Sequence, residues 1–287
     1  MFSNKEIQYL VHSSIDKKKW DDCIAQAPNG LVYAYSFYLD EMARHWDGLV
    51  LGDYEAVMPL TWNKKYTISY LYQPFLTAQL GVFGKNIDAG LLNAFLQSIP
   101  SKFKYWDFYL NHGNVFGLQD FEIYQRMNYV LHLDRPYDDL YNDYRENIRR
   151  NCKKAWQSGC VMQKDFSVKK VIDLAMEQMR DHSPETQENV SRFAKLYQYL
   201  YSRQMAITYG IASSQGELLA SCVFFFSHKR AYYILVGNHP NGKTIGASHA
   251  LIDAFIKDHA GKDIWLDFEG SDIRNLAFFY SSFGATE

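Results

Sequence analysis

Two carboxylates and a tyrosine near the end of the chain, Asp267, Glu269 and Tyr280, are the side chains best spaced to do chemistry. They lie in "DIWLDFEGSDIRNLAFFYSSFGA", residues 263–285, where a strand-like segment gives way to a helical one. If residues 263–269 form a strand, Trp265, Asp267 and Glu269 share one face and Ile264, Leu266 and Phe268 the other. The two carboxylates then sit about 6.5–7 Å apart. A lone buried carboxylate is costly, so such a pair must be hydrogen-bonded, ion-paired or partly wet. The end of a strand in an α/β sheet is the usual place for a wet cleft. In the helix that follows, Ile273, Leu276, Ala277 and Tyr280 recur at i, i+3, i+4 and i+7, which turns Tyr280 toward the sheet. Its hydroxyl is then either a satisfied core hydroxyl or a proton donor at the floor of a cleft. The bland alternative has Asp267 holding a loop amide, Glu269 capping the helix, and Ser271 or Asp272 as the N-cap residue.

A second candidate is "VGNHPNGKTIGASHALIDAF", which passes from a strand through a turn into a helix. Unpaired N–H groups at a helix start, together with the helix dipole, suit a pyrophosphate or carboxylate. Gly242 and Gly246 would let the backbone approach such a group closely. The segment matches neither GxxxxGK[ST] nor GxGxxG. The helix is apolar on most sides, and His249 reads as a core or interface histidine rather than a base.

A third feature is "YRENIRRNCKKAW". Tyr144, Ile148, Cys152 and Ala155 fall on one helical face, and Arg145, Arg149, Arg150, Lys153 and Lys154 occupy the opposite arc. Such an arc is either a solvated helix face or a landing strip for phosphates, of a nucleotide cofactor or of tRNA.

These segments need a frame. The chain has 287 residues, 47% hydrophobic and 16% aromatic, enough for one large core or two ordinary ones. A net charge of −2 confines any nucleic-acid contact to a local basic patch. Cys23, Cys152, Cys160 and Cys222 lack zinc-like spacing and read as reduced thiols, with no metal site expected. No secretion signal and no membrane span are expected, and the location expected is the cytoplasm.

The order of elements repeats. "KEIQYLV" reads as a strand, "DKKKWDDCIAQA" and "SFYLDEMARHW" as helices, then come three strands, the helix "IDAGLLNAFLQSI" and the strand "KYWDFYL". After it, "FEIYQRMNYVLHLD" is extended and "DDLYNDYRENIRRNCKKAWQSG" is one helix. Two more helices follow, then the meander "AITYGIAS", "LLASCVFFFS" and "AYYILVGN", a helix, a strand and the final helix. Each half predicts a mixed sheet with helices on its faces, an α/β fold (α+β mixed sheet), with domains at 1–125 and 126–287.

"LDFEGSDIRNLAFFYSSFGA" and "YRENIRRNCKKA" resemble segments of the Fem-type (FemAB-like) aminoacyltransferases, relatives within the wider GNAT acyltransferase superfamily, and the doubled element order resembles their two fused GNAT-like subdomains. Tyr280, followed four residues later by Gly284, is similar to the terminal GNAT motif, whose tyrosine protonates the leaving group. The pyrophosphate loop [Q/R]xxGx[G/A] is met in reduced form by Lys243, Gly246 and Ser248. The resemblance implies a bacterial N-acyltransferase whose second subdomain holds the donor, acetyl-CoA or another acyl-CoA. Val236, Gly237, Asn238, Gly242, Lys243, Gly246 and Ser248 would bind it, with backbone N–H groups of 236–238 polarising the acyl carbonyl. Glu269 or Asp267 would serve as base or amine anchor, Tyr280 as acid, and the acceptor would be a small-molecule or peptide amine. Two alternatives stand beside this. One is a Fem-type transferase acting on a peptidoglycan precursor with aminoacyl-tRNA as donor, the basic helix contacting the tRNA. The other is a non-enzymatic binding module on the same fold.

Overall fold

A computed structural model describes residues 6–179, 183–270 and 272–287, and the chain divides into two compact units, Met1–Gln125 and Arg126–Glu287. In the first unit the elements are β1 (Ile7–Leu10), α1 (Lys17–Gln26), α2 (Ser36–Met42), β2 (His45–Leu51), β3 (Ala56–Lys65), β4 (Ile68–Tyr72), β5 (Phe83–Gly84), α3 (Ala89–Gln97) and β6 (Phe103–Asp107). The sheet runs β1-β2-β3-β4-β6, with β5 beside β3, and β4–β6 is its parallel pair. Aspartates start α1 and α3. Asp16 accepts from the N–H groups of Lys18 and Lys19, and Asp88 from that of Leu91. Leu92, Phe95 and Leu96 of α3 then pack with Leu49, Met58, Leu60 and Leu71 of the sheet.

The second unit comprises β7 (Val130–His132), α4 (Tyr137–Asn142), α5 (Glu146–Gln157), β8 (Val161–Lys164), α6 (Val168–Met179), α7 (Pro184–Tyr201), β9 (Ala206–Ala212), β10 (Leu218–Ser227), β11 (Arg230–Asn238), α8 (Pro240–Ile245), α9 (Ala247–His259), β12 (Trp265–Asp267) and α10 (Arg274–Ser281). Its sheet order is β7-β12-β11-β10-β9-β8, and β11–β12 is the parallel pair. Parallel neighbours need a crossover, and α9 supplies it. Leu251, Phe255 and Ile256 of α9 join Ile148 and Cys152 of α5 over Phe224 and Tyr233 of the sheet, and α6 covers the other face. Both units therefore run an antiparallel meander, a helix and a parallel strand, and the mixed α/β architecture is observed twice.

Several boundaries differ from expectation. The second helix stops at Met42, and His45 and Trp46 enter β2. The long helix over 138–159 is two, α4 and α5, because the N–H of Arg145 leaves the helical path to donate to the carbonyl of Ser282 at 2.9 Å. Of the extended segment 121–134 only Val130–His132 is strand, and β8 was not anticipated. The last strand ends at Asp267, two residues early. Thr286 forms an antiparallel bridge to Val130, so the tail lies along β7.

Candidate functional site

The second sheet opens at one place. The β11–β12 ladder runs from Arg230↔Trp265 to Tyr232↔Asp267 and stops, while β11 continues to Asn238. Just past the fork, β11 carries a bulge against β10: Cys222 faces Val236 and Val223 faces Ile234, so Leu235 is the extra residue. It sits at φ +46°, a region that a leucine occupies only when its surroundings impose it. One inserted residue reverses which side chains face which side. Tyr233 and Val236 consequently share the α9 side, whereas Gly237 turns to α6, where a Cβ would come 2.7 Å from the backbone nitrogen of Ala175.

The fork holds a cavity of about 310 Å³, lined by Tyr233, Val236 and Asn238 of β11, Gly242, Lys243 and Gly246 of the following segment, Ser248 and His249 of α9, Leu276, Phe279 and Tyr280 of α10, and Gln178 of α6. Its wall is mainly apolar and aromatic. Its polar groups converge from five elements, an arrangement suited to a small organic ligand.

Tyr280 meets this cavity as its period predicted. Its ring stacks on Phe268 with centroids 4.7 Å apart, and the residue is 8% exposed. Its hydroxyl makes no hydrogen bond to another described residue, and the residue lines the cavity. Burial, and then the charge of Glu269, push its pKa up to about 12, so the hydroxyl holds its proton at neutral pH.

The two carboxylates part company. Asp267 is buried, bonded to the Arg230 guanidinium at 2.8 Å, and accepts the N–H of Glu269 at 2.8 Å. Both carboxylate oxygens of Asp267, expected as base or amine anchor, are thus engaged in holding the fork together. Glu269 does not share a strand face with it, because the chain has already turned, with φ +61° at Glu269 and +74° at Gly270. Glu269 is half-buried, and its charge acts on the Tyr280 hydroxyl. The final helix starts at Arg274 without a side-chain cap; Asp272 instead takes Arg126 at 2.6 Å, and Ser271 lies outside the described residues.

The donor loop also differs from the open turn expected. Residues 240–245 wind into α8, whose start takes the N–H groups of Gly242 and Lys243 to the carbonyl of His239. The N–H of Gly246 goes to the carbonyl of Gly242. Gly242 and Gly246 are glycines because backbone abuts them: a Cβ would lie 2.3 Å from the Leu219 carbonyl oxygen and 2.6 Å from that of Asn151. Asn238 is committed as well. Its N–H donates to Gln178 Oε1 at 2.7 Å, and its Oδ1 accepts from the Ser248 hydroxyl, so it does not polarise an acyl carbonyl with that N–H. Gly237 is a packing glycine and does not line the cavity. Lys243 lines it and forms no ion pair among the described residues.

The basic arc is divided. Arg145 precedes α5 and lies over the Phe278 ring at 4.6 Å, and Lys154 donates to the carbonyl of Thr244 at 2.7 Å, tying α5 to α8. Arg149, Arg150 and Lys153 form no ion pairs among the described residues, which leaves three cations available to a polyanion.

Sequence reading missed Gln178, Tyr233, His249, Leu276 and Phe279 as cavity residues, His249 having been read as a core or interface histidine. Leu276 lay in the stripe with Tyr280; the others carry no local signal. A larger groove of about 970 Å³ lies in the first unit between α1, β3 and α3. Its one nucleophile, Cys23, has its thiol pushed up to about 11 by burial, and Lys19 and Asp53 on its rim pair with each other at 2.6 Å. Size alone does not make it the reactive site. Among the described residues no cluster of His, Cys, Asp and Glu is placed to hold a metal ion, and no helix is long and apolar enough to cross a membrane.

No protein-family model and no curated protein matches the chain. Solved structures do. FemX superposes with a TM-score of 0.67 at 14% identity, over 97% of this chain and 94% of that one. A tandem GNAT protein from the clavulanic acid biosynthesis pathway gives 0.52 at 11% identity, over 98% and 95%. The fold is a tandem GNAT fold. L-PGS from Bacillus licheniformis is similar at 0.53 and 12% identity, over 84% and 81%. At such identities the likeness is one of architecture.

Proposed function

We propose that the second unit transfers an acyl group to a primary amine. The observation that carries this reading is the Tyr280 hydroxyl, protonated and without a partner, on the wall of the cavity where β11 leaves β12. The amine nitrogen attacks the acyl carbon, a C–N bond forms, and the bond to the thiol or alcohol leaving group breaks. Glu269 anchors the amine and takes its proton; Tyr280 delivers a proton to the departing sulfur or oxygen. The acyl chain would lie against Val236, Leu276 and Phe279.

An acyl-CoA, acetyl-CoA first, is the donor that the fold suggests. Its phosphates would meet Lys243 and the first N–H groups of α9, and CoA would supply the activated thioester. A second reading, aminoacyl-tRNA as donor, rests on two features. Winding of α8 consumes N–H groups that a pyrophosphate would use, and α5 leaves Arg149, Arg150 and Lys153 unpaired.

Calorimetry with acetyl-CoA and tRNA in parallel decides between them. Acetyl-CoA binding weakened by Lys243→Ala supports the first reading. Salt-sensitive tRNA binding, lost on Arg149→Glu with Lys153→Glu, supports the second. Silence from both leaves the fold as a non-enzymatic binding module.

A further inference from the structure

The cavity holds a second tyrosine that the scheme above leaves unused. Tyr233 of β11 lines it together with Tyr280, and the residue is 5% exposed. Its hydroxyl makes no hydrogen bond to another described residue, yet it is not one of the polar atoms sealed from solvent. A buried tyrosine ordinarily satisfies its hydroxyl, so an open and unpaired one beside a cavity points to a ligand. The ring is held on three sides. Its centroid lies 5.5 Å from that of Phe224, 6.0 Å from that of Phe268 and 6.5 Å from that of Tyr280, the last two edge-to-face. Burial, and then Cys222 and Tyr280, push its pKa well above the ordinary tyrosine value, so the hydroxyl keeps its proton at neutral pH. The bulge at Leu235 sets Tyr233 on the same side of the sheet as Val236, the wall assigned to the acyl group.

Acyl transfer places negative charge on the carbonyl oxygen in the transition state, and fixed donors at that oxygen, tyrosine hydroxyls included, are a major source of acceleration in such reactions. The N–H of Asn238, expected in this role, is held by Gln178. Glu269, which takes the amine proton, acts on Tyr280, whereas the groups acting on Tyr233 are Cys222 and Tyr280 itself. We infer that the Tyr233 hydroxyl donates to the acyl carbonyl oxygen of the bound donor, while Tyr280 serves the leaving group. As the C–N bond forms, the carbonyl electron pair moves onto the oxygen that Tyr233 holds. It returns as the bond to the leaving group breaks, and the Tyr233 proton stays on its own oxygen throughout. Tyr233 is thereby a catalytic residue, and the two tyrosines have separate tasks. The inference rests on the acyl-transfer reading.

The test uses ¹³C spectra of two unreactive donors labelled at the carbonyl, S-acetonyl-CoA and a tRNA carrying alanine through an amide, each added to the full chain. Binding of either probe should move its carbonyl carbon downfield, the mark of a hydrogen bond to the oxygen. Tyr233→Phe keeps the ring and loses only a hydroxyl without a partner, so its urea midpoint should hold. It should still bind the probe, but with most of the downfield shift gone, whereas Tyr280→Phe should keep the shift. Replacing Tyr233 by 3-fluorotyrosine, a stronger donor, should move the carbon further downfield than the parent does. In turnover, Tyr233→Phe should lower kcat by about 10²–10³-fold with little change in KM. A probe whose carbonyl shift is the same in Tyr233→Phe and in the parent, or an unchanged kcat, overturns the inference and leaves acyl transfer standing. If neither probe binds the parent, the acyl-transfer reading fails and the inference goes with it.

Discussion

Arg230 grips Asp267 at 2.8 Å beside the last rung of the β11–β12 ladder, Tyr232↔Asp267. The aspartate side chain is 1% exposed and the arginine 15%. The pair thus closes the sheet at the point where the strands begin to separate. Asp267 also receives the N–H of Glu269, which sets the turn that carries Glu269 toward Tyr280. Removing one member of a buried pair strands the other charge, so Asp267→Ala should cost about 3–5 kcal/mol of stability. Urea unfolding would show it, together with the loss of any activity that depends on the position of Glu269. A stable Asp267→Ala protein that has lost only turnover would restore Asp267 to the chemistry.

Tyr280→Phe should behave in the opposite way. The hydroxyl makes no hydrogen bond among the described residues and the ring packing on Phe268 is retained, so stability should change by less than ~0.5 kcal/mol. Turnover should fall by about 10²–10⁴-fold if the hydroxyl supplies the proton to the leaving group. Thermal melts and initial rates on one preparation separate the two effects. A variant as fast as the parent would remove Tyr280 from the mechanism.

Gly237 offers a test of architecture against ligand contact. A Cβ there would lie 2.7 Å from Ala175 N and 2.9 Å from the Leu174 carbonyl carbon, both backbone atoms that cannot rotate aside. Gly237→Ala should therefore destabilise by about 1–3 kcal/mol, as overpacked sites do. The urea midpoint should fall even if the folded fraction still binds ligand. An unchanged midpoint with lost binding would mean that Gly237 approaches a ligand after all.

What could be read in advance follows the range of the interactions. The meander emerged from local alternation and is as observed, and Tyr280 is buried as its period predicted, although Ile273 and Leu276 of the same stripe are exposed. The ion pair of Asp267 was not legible because its partner, Arg230, lies 37 residues away and is brought to it by strand register. The split between α4 and α5 depends on a carbonyl at Ser282, and the contact of His249 Nε2 on Asn151, 98 residues distant. The bulge at Leu235 has no glycine to announce it. A left-handed leucine is imposed by the β10 pairing that holds before and after it, which no local propensity encodes.

His249 also gives the fold a pH signature. Its pKa falls from 6.5 to about 4 because burial disfavours the charged ring. Between those values the unfolded chain binds more protons than the folded one, so stability rises with pH through this window and is lost as pH falls from 6.5 toward 4. A shift of this size corresponds to about 3 kcal/mol. His259, also lowered by burial, contributes in the same direction, whereas Asp253, raised by burial, contributes stability that is lost as pH rises through its own titration. Comparing the parent with His249→Asn isolates the one group. Whatever offset separates the two proteins at pH 7 should move in favour of the variant by about 3 kcal/mol by pH 4, as urea unfolding at pH 7, 5.5 and 4 would record. An offset constant across that range would show that the imidazole is solvated in the folded chain.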